Sequence, residues 1–440
     1  MGIVETKYGK IRGVDMGDCI LYKGVPYAKP PVGDLRWKAP VEPEPWEGIF
    51  EADTFNCKCM QESHEDDLYG PEFYANPDFA RKSSEDCLYI NIWTPKDCEG
   101  KKLPVAFWIH GGAFLGGFNS ELEFDGEAYC KRGVILVSVE YRCNIFGFLA
   151  HPWLSAENPD GRCGNYGILD QIAALTWVYE NIEGFGGDKD NITVFGQSAG
   201  AMSTQTLISS DLTGNMIAKA IMQSGGALSG GLSRDMPQKT LEAYGELFSE
   251  IAGVHSLEEM RALSSETVLG LLGKFMEKVF PMTGGLFLTP VNDGYVLDDD
   301  YDALINSGRV KNIPYMLGTT KNDILVTPEM VEAGEYSSLY KGCISWSQKM
   351  EELGRKPSYV YYFTRDLPGN DAGAFHSAEL WYMFGTLGRC WRPMTEHDYD
   401  LSNQMLDYWT NFMKTGDPNG DGLPEWAPCT KANPVVKELK

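Results

Sequence analysis

The residue with the most chemistry around it is Ser198, in Gly196-Gln197-Ser198-Ala199-Gly200. A β-rich run, Asn191-Ile192-Thr193-Val194-Phe195, leads into the pentapeptide, and the helix-compatible Ala201-Met202-Ser203-Thr204-Gln205 follows it. On its own, G-x-S-x-G also fits an ordinary tight turn with a solvated serine. Between a strand and a helix it fits a nucleophile elbow, a strained turn that presents the hydroxyl and aims the following helix N-terminus at developing negative charge. Ser198 is therefore the expected nucleophile of an acyl transfer. The flanking glycines meet the steric demand of such a turn.

Acyl transfer puts negative charge on the former carbonyl oxygen, and preorganised backbone N–H groups stabilise it. Upstream of Ser198, the apolar run 104–109 opens onto His110-Gly111-Gly112-Ala113-Phe114-Leu115-Gly116-Gly117. The loop has neither the G-x-G-x-x-G helix opening of a dinucleotide site nor the lysine of a P-loop. Gly112, Ala113 and Ala199 are the expected oxyanion donors.

The hydroxyl also needs a base, and six histidines are available: His64, His110, His151, His255, His376 and His397. In α/β-hydrolases the chain order is serine, acid, histidine, which disfavours His64, His110 and His151. His255 lies in a helical stretch, and His397 sits between Glu396 and Asp398 in a polar one. His376 follows a strand-like run, 359–363, and a loop, and is the expected base. The acid that orients it should follow the preceding strand. Asp323, in Thr320-Lys321-Asn322-Asp323, is the first choice, with Glu329 as competitor.

The elements that position these residues are short β-rich runs at 88–93, 104–109, 134–140, 192–195, 218–222, 313–317 and 359–363. Helical patterns lie between several of them, the clearest at 170–179. Strands alternating with helices predict an α/β fold, a mostly parallel central sheet with helices on both faces. Residues 3–40 alternate short polar strands with turns and end in the Pro-rich run 23–36, too rigid to be helical, which together predict an irregular packed edge. Residues 235–275, rich in Leu, Met, Glu and Ala at helical spacing, are expected to form a helical cap insertion above the sheet. No repeat or low-complexity linker divides the chain, so residues 1–440 read as one domain carrying that insertion.

The chain has 440 residues, with 62 acidic against 38 basic side chains and a formal charge of −24. That balance repels phosphate backbones and anionic membrane surfaces, so neither nucleic acid nor membrane is an expected partner. The start lacks a charged n-region and an apolar h-region, and no uninterrupted apolar stretch approaches eighteen residues, which predicts a cytoplasmic protein. Eleven cysteines, without paired C-x-x-C motifs or zinc spacing, suggest neither a disulfide scaffold nor a metal site. Asn191-Ile192-Thr193 matches a glycosylation acceptor but reads as the strand before the elbow.

Together these motifs resemble the type-B carboxylesterase family, which includes cholinesterases, liver carboxylesterases, bacterial p-nitrobenzyl esterases and the non-enzymatic neuroligins. The resemblance spans nearly the whole chain. Its markers are Gly24-Val25-Pro26-Tyr27-Ala28 through Leu35-Arg36-Trp37, Ser84-Glu85-Asp86-Cys87-Leu88-Tyr89-Ile90-Asn91, the loop from His110 to Phe114, and Gly164-Asn165-Tyr166-Gly167-Ile168-Leu169-Asp170-Gln171 leading to Phe185-Gly186-Gly187-Asp188. It implies a bacterial cytosolic serine esterase of the α/β-hydrolase fold, with Ser198, Asp323 and His376 as triad, no cofactor, and a small-molecule ester as substrate. It also implies a buried Arg36–Glu85 ion pair. Cys59 and Cys87 match a disulfide of secreted relatives, which a reducing cytosol would leave open.

The departures from that family pattern refine the expectation. The family usually has Glu at 323, Glu at 197 and Gly at 113. Asp323 is one methylene shorter, and Gln197 removes a negative charge that cationic substrates would find beside the nucleophile, favouring small neutral or apolar esters. The segment from Asp323 to His376 is short, which implies a trimmed lid. Trp381-Tyr382-Met383-Phe384, after His376, offers a hint of hydroxycinnamoyl or other aryl esters against a plain core role. The alternative from a different class is a non-catalytic recognition protein like the neuroligins, against which the intact residue set stands.

Overall fold

The computed structural model describes residues 2–63 and 69–440; His64 lies outside the described residues. The N-terminal region supplies β1 (Ile3–Thr6), β2 (Gly9–Arg12), β3 (Val14–Asp15), β4 (Cys19–Pro26) and β5 (Ile49–Glu51). The rest of the chain adds β6 (Tyr89–Pro95), β7 (Leu103–Ile109), β8 (Ile135–Val139), β9 (Gly187–Gln197), β10 (Lys219–Gln223), β11 (Tyr315–Thr320), β12 (Tyr359–Phe363) and β13 (Lys437–Leu439). β1, β2 and β5 form a small separate sheet, and the other strands form a ten-stranded sheet in the order β13-β12-β11-β10-β9-β7-β8-β6-β4-β3.

Pairing in the large sheet is parallel from β13 across to β8 and antiparallel from β8 to β3. The expected irregular edge is thus partly ordered, with β3 and β4 extending the sheet. The Pro-rich run carries β4 through Pro26 and one 3₁₀ turn at Gly33–Leu35. β9 starts earlier than its apolar pattern indicates, because the polar residues from Gly187 already pair with β7 through Leu103.

Strands buried on both faces need cover on both faces. Val105, Phe107 and Ile109 of β7 join a core with Leu175 and Val178 of the helix Tyr166–Asn181 and Ala201 and Leu207 of the helix Ala199–Ser209. Ala106 and Trp108, pointing the other way, join a second core with Trp409 and Phe412 of the helix Glu396–Thr415. Trp381, Tyr382, Met383 and Phe384 form the short helix Leu380–Phe384 and are fully buried in this second core, Phe384 packing edge-on against Trp108 at 5.0 Å. Their place is the core, so the sequence hint of an aryl-ester site at these residues is withdrawn.

Between β10 and β11 the chain forms a short helix at Tyr301–Asn306 and, ahead of it, four more, Gln238–Ala252, Leu257–Ala262, Ser265–Gly270 and Leu272–Thr283. The last runs beyond residue 275 because Phe275 and Val279 continue its buried stripe. Arg36 anchors this region: it pairs with Glu85, donating from Nε at 2.7 Å, and gives Nη1 to the carbonyls of Leu263 (2.7 Å) and Arg261 (3.1 Å). The ion pair implied by the family resemblance is therefore present and buried. A second buried pair, Arg142 with Asp170, is bidentate at 2.8 and 2.7 Å. No helix among the described residues is long and apolar enough to cross a membrane. All eleven cysteines, Cys59 and Cys87 included, are free.

Candidate active site

The expected chemical residues all leave the carboxyl ends of the parallel strands, the edge at which open α/β sheets build their sites. β9 ends at Gln197 and the next helix starts at Ala199, leaving Ser198 alone in the turn with φ 57° and ψ −124°. Its N–H donates to the Gln223 carbonyl at the end of β10 (2.8 Å), which fixes the strained backbone. Gly200 is required by contact: a Cβ there would lie 2.0 Å from the Ile109 carbonyl oxygen. The turn thus packs directly on the end of β7.

β7 in turn delivers the glycine-rich loop. Gly112, Ala113 and Phe114 all have positive φ, at 105°, 56° and 59°. Gly111 lies against the elbow, where a Cβ would come within 3.2 Å of the Ser198 Cβ. The loop is pinned from outside by Asn144, which donates Nδ2 to the Leu115 carbonyl (3.1 Å), and by Gln61, which exchanges hydrogen bonds with Gly117 (2.9 Å each way). The N–H groups of Gly112, Ala113 and Ala199 donate to no acceptor among the described residues. An anion approaching Ser198 would find them unsatisfied.

Asp323 and His376 meet as expected, with Nδ1 of the imidazole 2.6 Å from Oδ1 of the carboxylate. The other carboxylate oxygen accepts from the Ser224 hydroxyl (2.6 Å) and the Thr320 N–H (2.9 Å). Burial opposes ionisation of Asp323, but the charge of His376 and the hydrogen bonds from His376, Ser224 and Thr320 outweigh it and hold the carboxyl below its ordinary value. Because Asp323 binds Nδ1, the Nε2 lone pair of His376 faces the elbow. There it meets Gln197, whose Nε2 lies 3.1 Å away.

The competitors lie elsewhere. Glu329 is exposed in the first turn of the helix Pro328–Ala333, and His255 and His397 are exposed. His151 is buried against the Ser249 hydroxyl (3.2 Å), and His110 stacks on Tyr141 with its Nδ1 2.8 Å from the Gly111 carbonyl.

Sequence reasoning missed three participants. Ser224 follows β10 as Ser198 follows β9, a strand-end position that could have drawn notice. Glu379, three residues past His376, is fully buried; its Oε1 accepts from Gln223 Nε2 at 3.4 Å and its Oε2 has no partner among the described residues. Burial first, and the neighbouring Asp323 charge second, push its carboxyl up to about 7. Tyr69 donates its hydroxyl to the His376 carbonyl (3.3 Å) and packs on Phe73 and Phe375, a contact no local pattern foretold. Among the described residues, no cluster of three or more His, Cys, Asp or Glu could hold a metal ion.

A mostly parallel sheet flanked by helices, with a strand–turn–helix serine and an Asp–His pair at the carboxyl ends of successive strands, defines an α/β-hydrolase. The model of the carboxylesterase family matches residues 1–341 and 326–440. The para-nitrobenzyl esterase of Bacillus subtilis (strain 168) is 34% identical, across 96% of this chain and 91% of that protein. The fumonisin B1 esterase of Sphingopyxis macrogoltabida is 40% identical, across 96% and 83%. A solved structure of a PNB esterase superposes with a TM-score of 0.86 at 30% identity, covering 100% of this chain and 95% of the other. The chain belongs to the carboxylesterase family.

Proposed function

We propose that this carboxylic-ester hydrolase cleaves small neutral or apolar esters through an acyl-enzyme on Ser198, with His376 as general base and acid and Asp323 as its orienting partner. The observation that carries the reading is the 2.6 Å bond between Asp323 and His376, set beside a strained serine turn and three N–H groups without acceptors among the described residues.

With Nδ1–H given to Asp323, the lone pair on His376 Nε2 takes the Ser198 proton as Oγ attacks the ester carbonyl carbon. The carbonyl π electrons move to oxygen, and the N–H groups of Gly112, Ala113 and Ala199 receive the oxyanion, a contribution of about 3 kcal/mol per donor. Collapse expels the alkoxide, which takes the proton from Nε2, and leaves the acyl group on Ser198. Water then repeats the sequence and releases the acid. Asp323 stays ionised throughout and stabilises the imidazolium.

Gln197 leaves no fixed charge beside the nucleophile. Ile324 and Leu325, which follow Asp323, stay 40% and 60% exposed and offer apolar surface. Both features support neutral or apolar substrates, and relatives named as para-nitrobenzyl and fumonisin B1 esterases support the ester class. We read the chain as one domain with the helical segment after β10 as its cap, and the free thiols as supporting a reducing, cytoplasmic setting.

Replacing Ser198 by Ala should abolish p-nitrophenyl acetate and butyrate turnover. Retained turnover would overturn the assignment, and a folded parent protein that a fluorophosphonate leaves unlabelled would favour the non-catalytic, neuroligin-like alternative.

A further inference from the structure

The proposed reaction needs the Nε2 lone pair of His376, and in the structure that lone pair faces a partner other than Ser198. No hydrogen bond joins Ser198 to His376 among the described residues; Gln197 Nε2 lies 3.1 Å from the imidazole nitrogen instead. The tautomer fixes the sense of this contact. Asp323 receives Nδ1–H at 2.6 Å, Nε2 is then an acceptor, and the carboxamide nitrogen is the donor. Gln197 is only 2% exposed, and His376 is the one hydrogen-bond partner of its side chain among the described residues. The amide has little room: a Cβ on Gly111 would come 3.2 Å from its Oε1 and 2.9 Å from its backbone oxygen.

We propose that Gln197 is a positioning residue that occupies the base in the resting enzyme and yields it to Ser198 when substrate enters. This rests on the acyl-enzyme reading above. A buried amide that donates to neutral Nε2 holds the imidazole in place and competes with the Ser198 hydroxyl for the same lone pair. Once Nε2 carries the serine proton, the amide N–H faces another donor. The side chain must then turn its Oε1 toward Nε2–H or withdraw. Substrate filling the elbow would drive that exchange, so activation of Ser198 is coupled to occupancy. A carboxylate at 197, the usual residue of the family, cannot donate to Nε2 when ionised; it favours the imidazolium instead.

Two near-isosteric variants test the proposal. The titratable groups around His376 are Asp323 from the loop after β11, Glu379 from its own segment and Tyr69, whose hydroxyl donates to the His376 carbonyl, with Cys343, Tyr361 and Tyr362 around Asp323; both variants retain all of them. Gln197→Met removes the donor and keeps the volume, and should speed fluorophosphonate labelling of Ser198 about fivefold, the weight of one net hydrogen bond. Gln197→Glu should move the acid limb of the kcat/KM profile to higher pH by about one unit, because a carboxylate near Nε2 keeps the base protonated. An acid limb that does not move in Gln197→Glu, or slower labelling in Gln197→Met, would overturn the role of Gln197. A parent enzyme not labelled at Ser198 would overturn the acyl-enzyme reading itself.

Discussion

Asn322 and Ala374 are hydrogen-bonded in both directions, the Asn322 N–H to the Ala374 carbonyl (2.9 Å) and the Ala374 N–H to Asn322 Oδ1 (3.0 Å). One residue beyond Asn322 is Asp323, and two beyond Ala374 is His376. The pair fastens the loop after β11 to the loop after β12 at the point where each releases a catalytic candidate. Gly373 permits the approach, since a Cβ there would meet Asn322 Oδ1 at 2.4 Å.

Replacing Asn322 by Ala keeps the backbone bond to Ala374 and removes the side-chain one, and should therefore loosen the Asp323–His376 pair without touching either side chain. The expected result is a kcat lowered about tenfold, equivalent to about 1.4 kcal/mol of transition-state stabilisation, with KM little changed. Steady-state kinetics on a short-chain p-nitrophenyl ester measures it. An unchanged kcat would show that the two loops hold their register without this link.

Glu379 predicts a pH-dependent stability. Its carboxyl is raised from 4.5 to about 7 in the fold, so the folded state binds its proton more tightly than the unfolded chain. The resulting stabilisation is complete below about pH 4.5, declines as pH rises, and is gone above about 7. Glu379→Gln keeps a neutral group at every pH. It should melt at a higher temperature than the parent at pH 8, by the equivalent of up to about 3 kcal/mol, with the advantage vanishing near pH 5. Thermal melts at the two pH values decide it, and a constant difference would exclude ionisation as the cause.

The Arg36–Glu85 pair joins the N-terminal segment to the helices after β10. Glu85→Ala leaves a guanidinium buried without its counter-charge, at a cost of about 3–5 kcal/mol. The urea midpoint should fall accordingly while KM of the remaining folded enzyme stays at the parent value. A midpoint within error of the parent would contradict the pair's structural role.

Ala113 sits at φ 56°, where a Cβ is strained. Because its expected contribution to the oxyanion site is a backbone N–H, Ala113→Gly should gain about 1 kcal/mol of stability from relieved backbone strain and retain kcat. Loss of activity in this variant would mean that the methyl group itself shapes the acyl site.

Much of this was legible in the sequence because it depends on local steric rules. The elbow at Ser198 and the loop at Gly112 announce themselves through glycines that strained turns and close packing require. Asp323 and His376 were found by strand-end position and chain order. What escaped was non-local: Asn322 reaching Ala374, Ser224 reaching Asp323 and Tyr69 reaching His376 join segments far apart in sequence, and no periodicity encodes such pairings. The apolar pattern understates the extent of β9 because its polar first half pairs without being apolar. The aromatic run after His376 fits two roles in the sequence because burial and ligand binding favour the same side chains, and its packing against Trp108 separates them.

The proposed mechanism turns on a covalent ester at Ser198, and trapping it is the most direct test. The enzyme, quenched in acid during turnover of a short-chain p-nitrophenyl ester and digested, should carry one acyl group on the peptide containing Ser198, and the Ser198→Ala protein should carry none and release no p-nitrophenol above the solvent rate. Full turnover with no acyl group on that peptide, or turnover surviving in Ser198→Ala, would contradict the account.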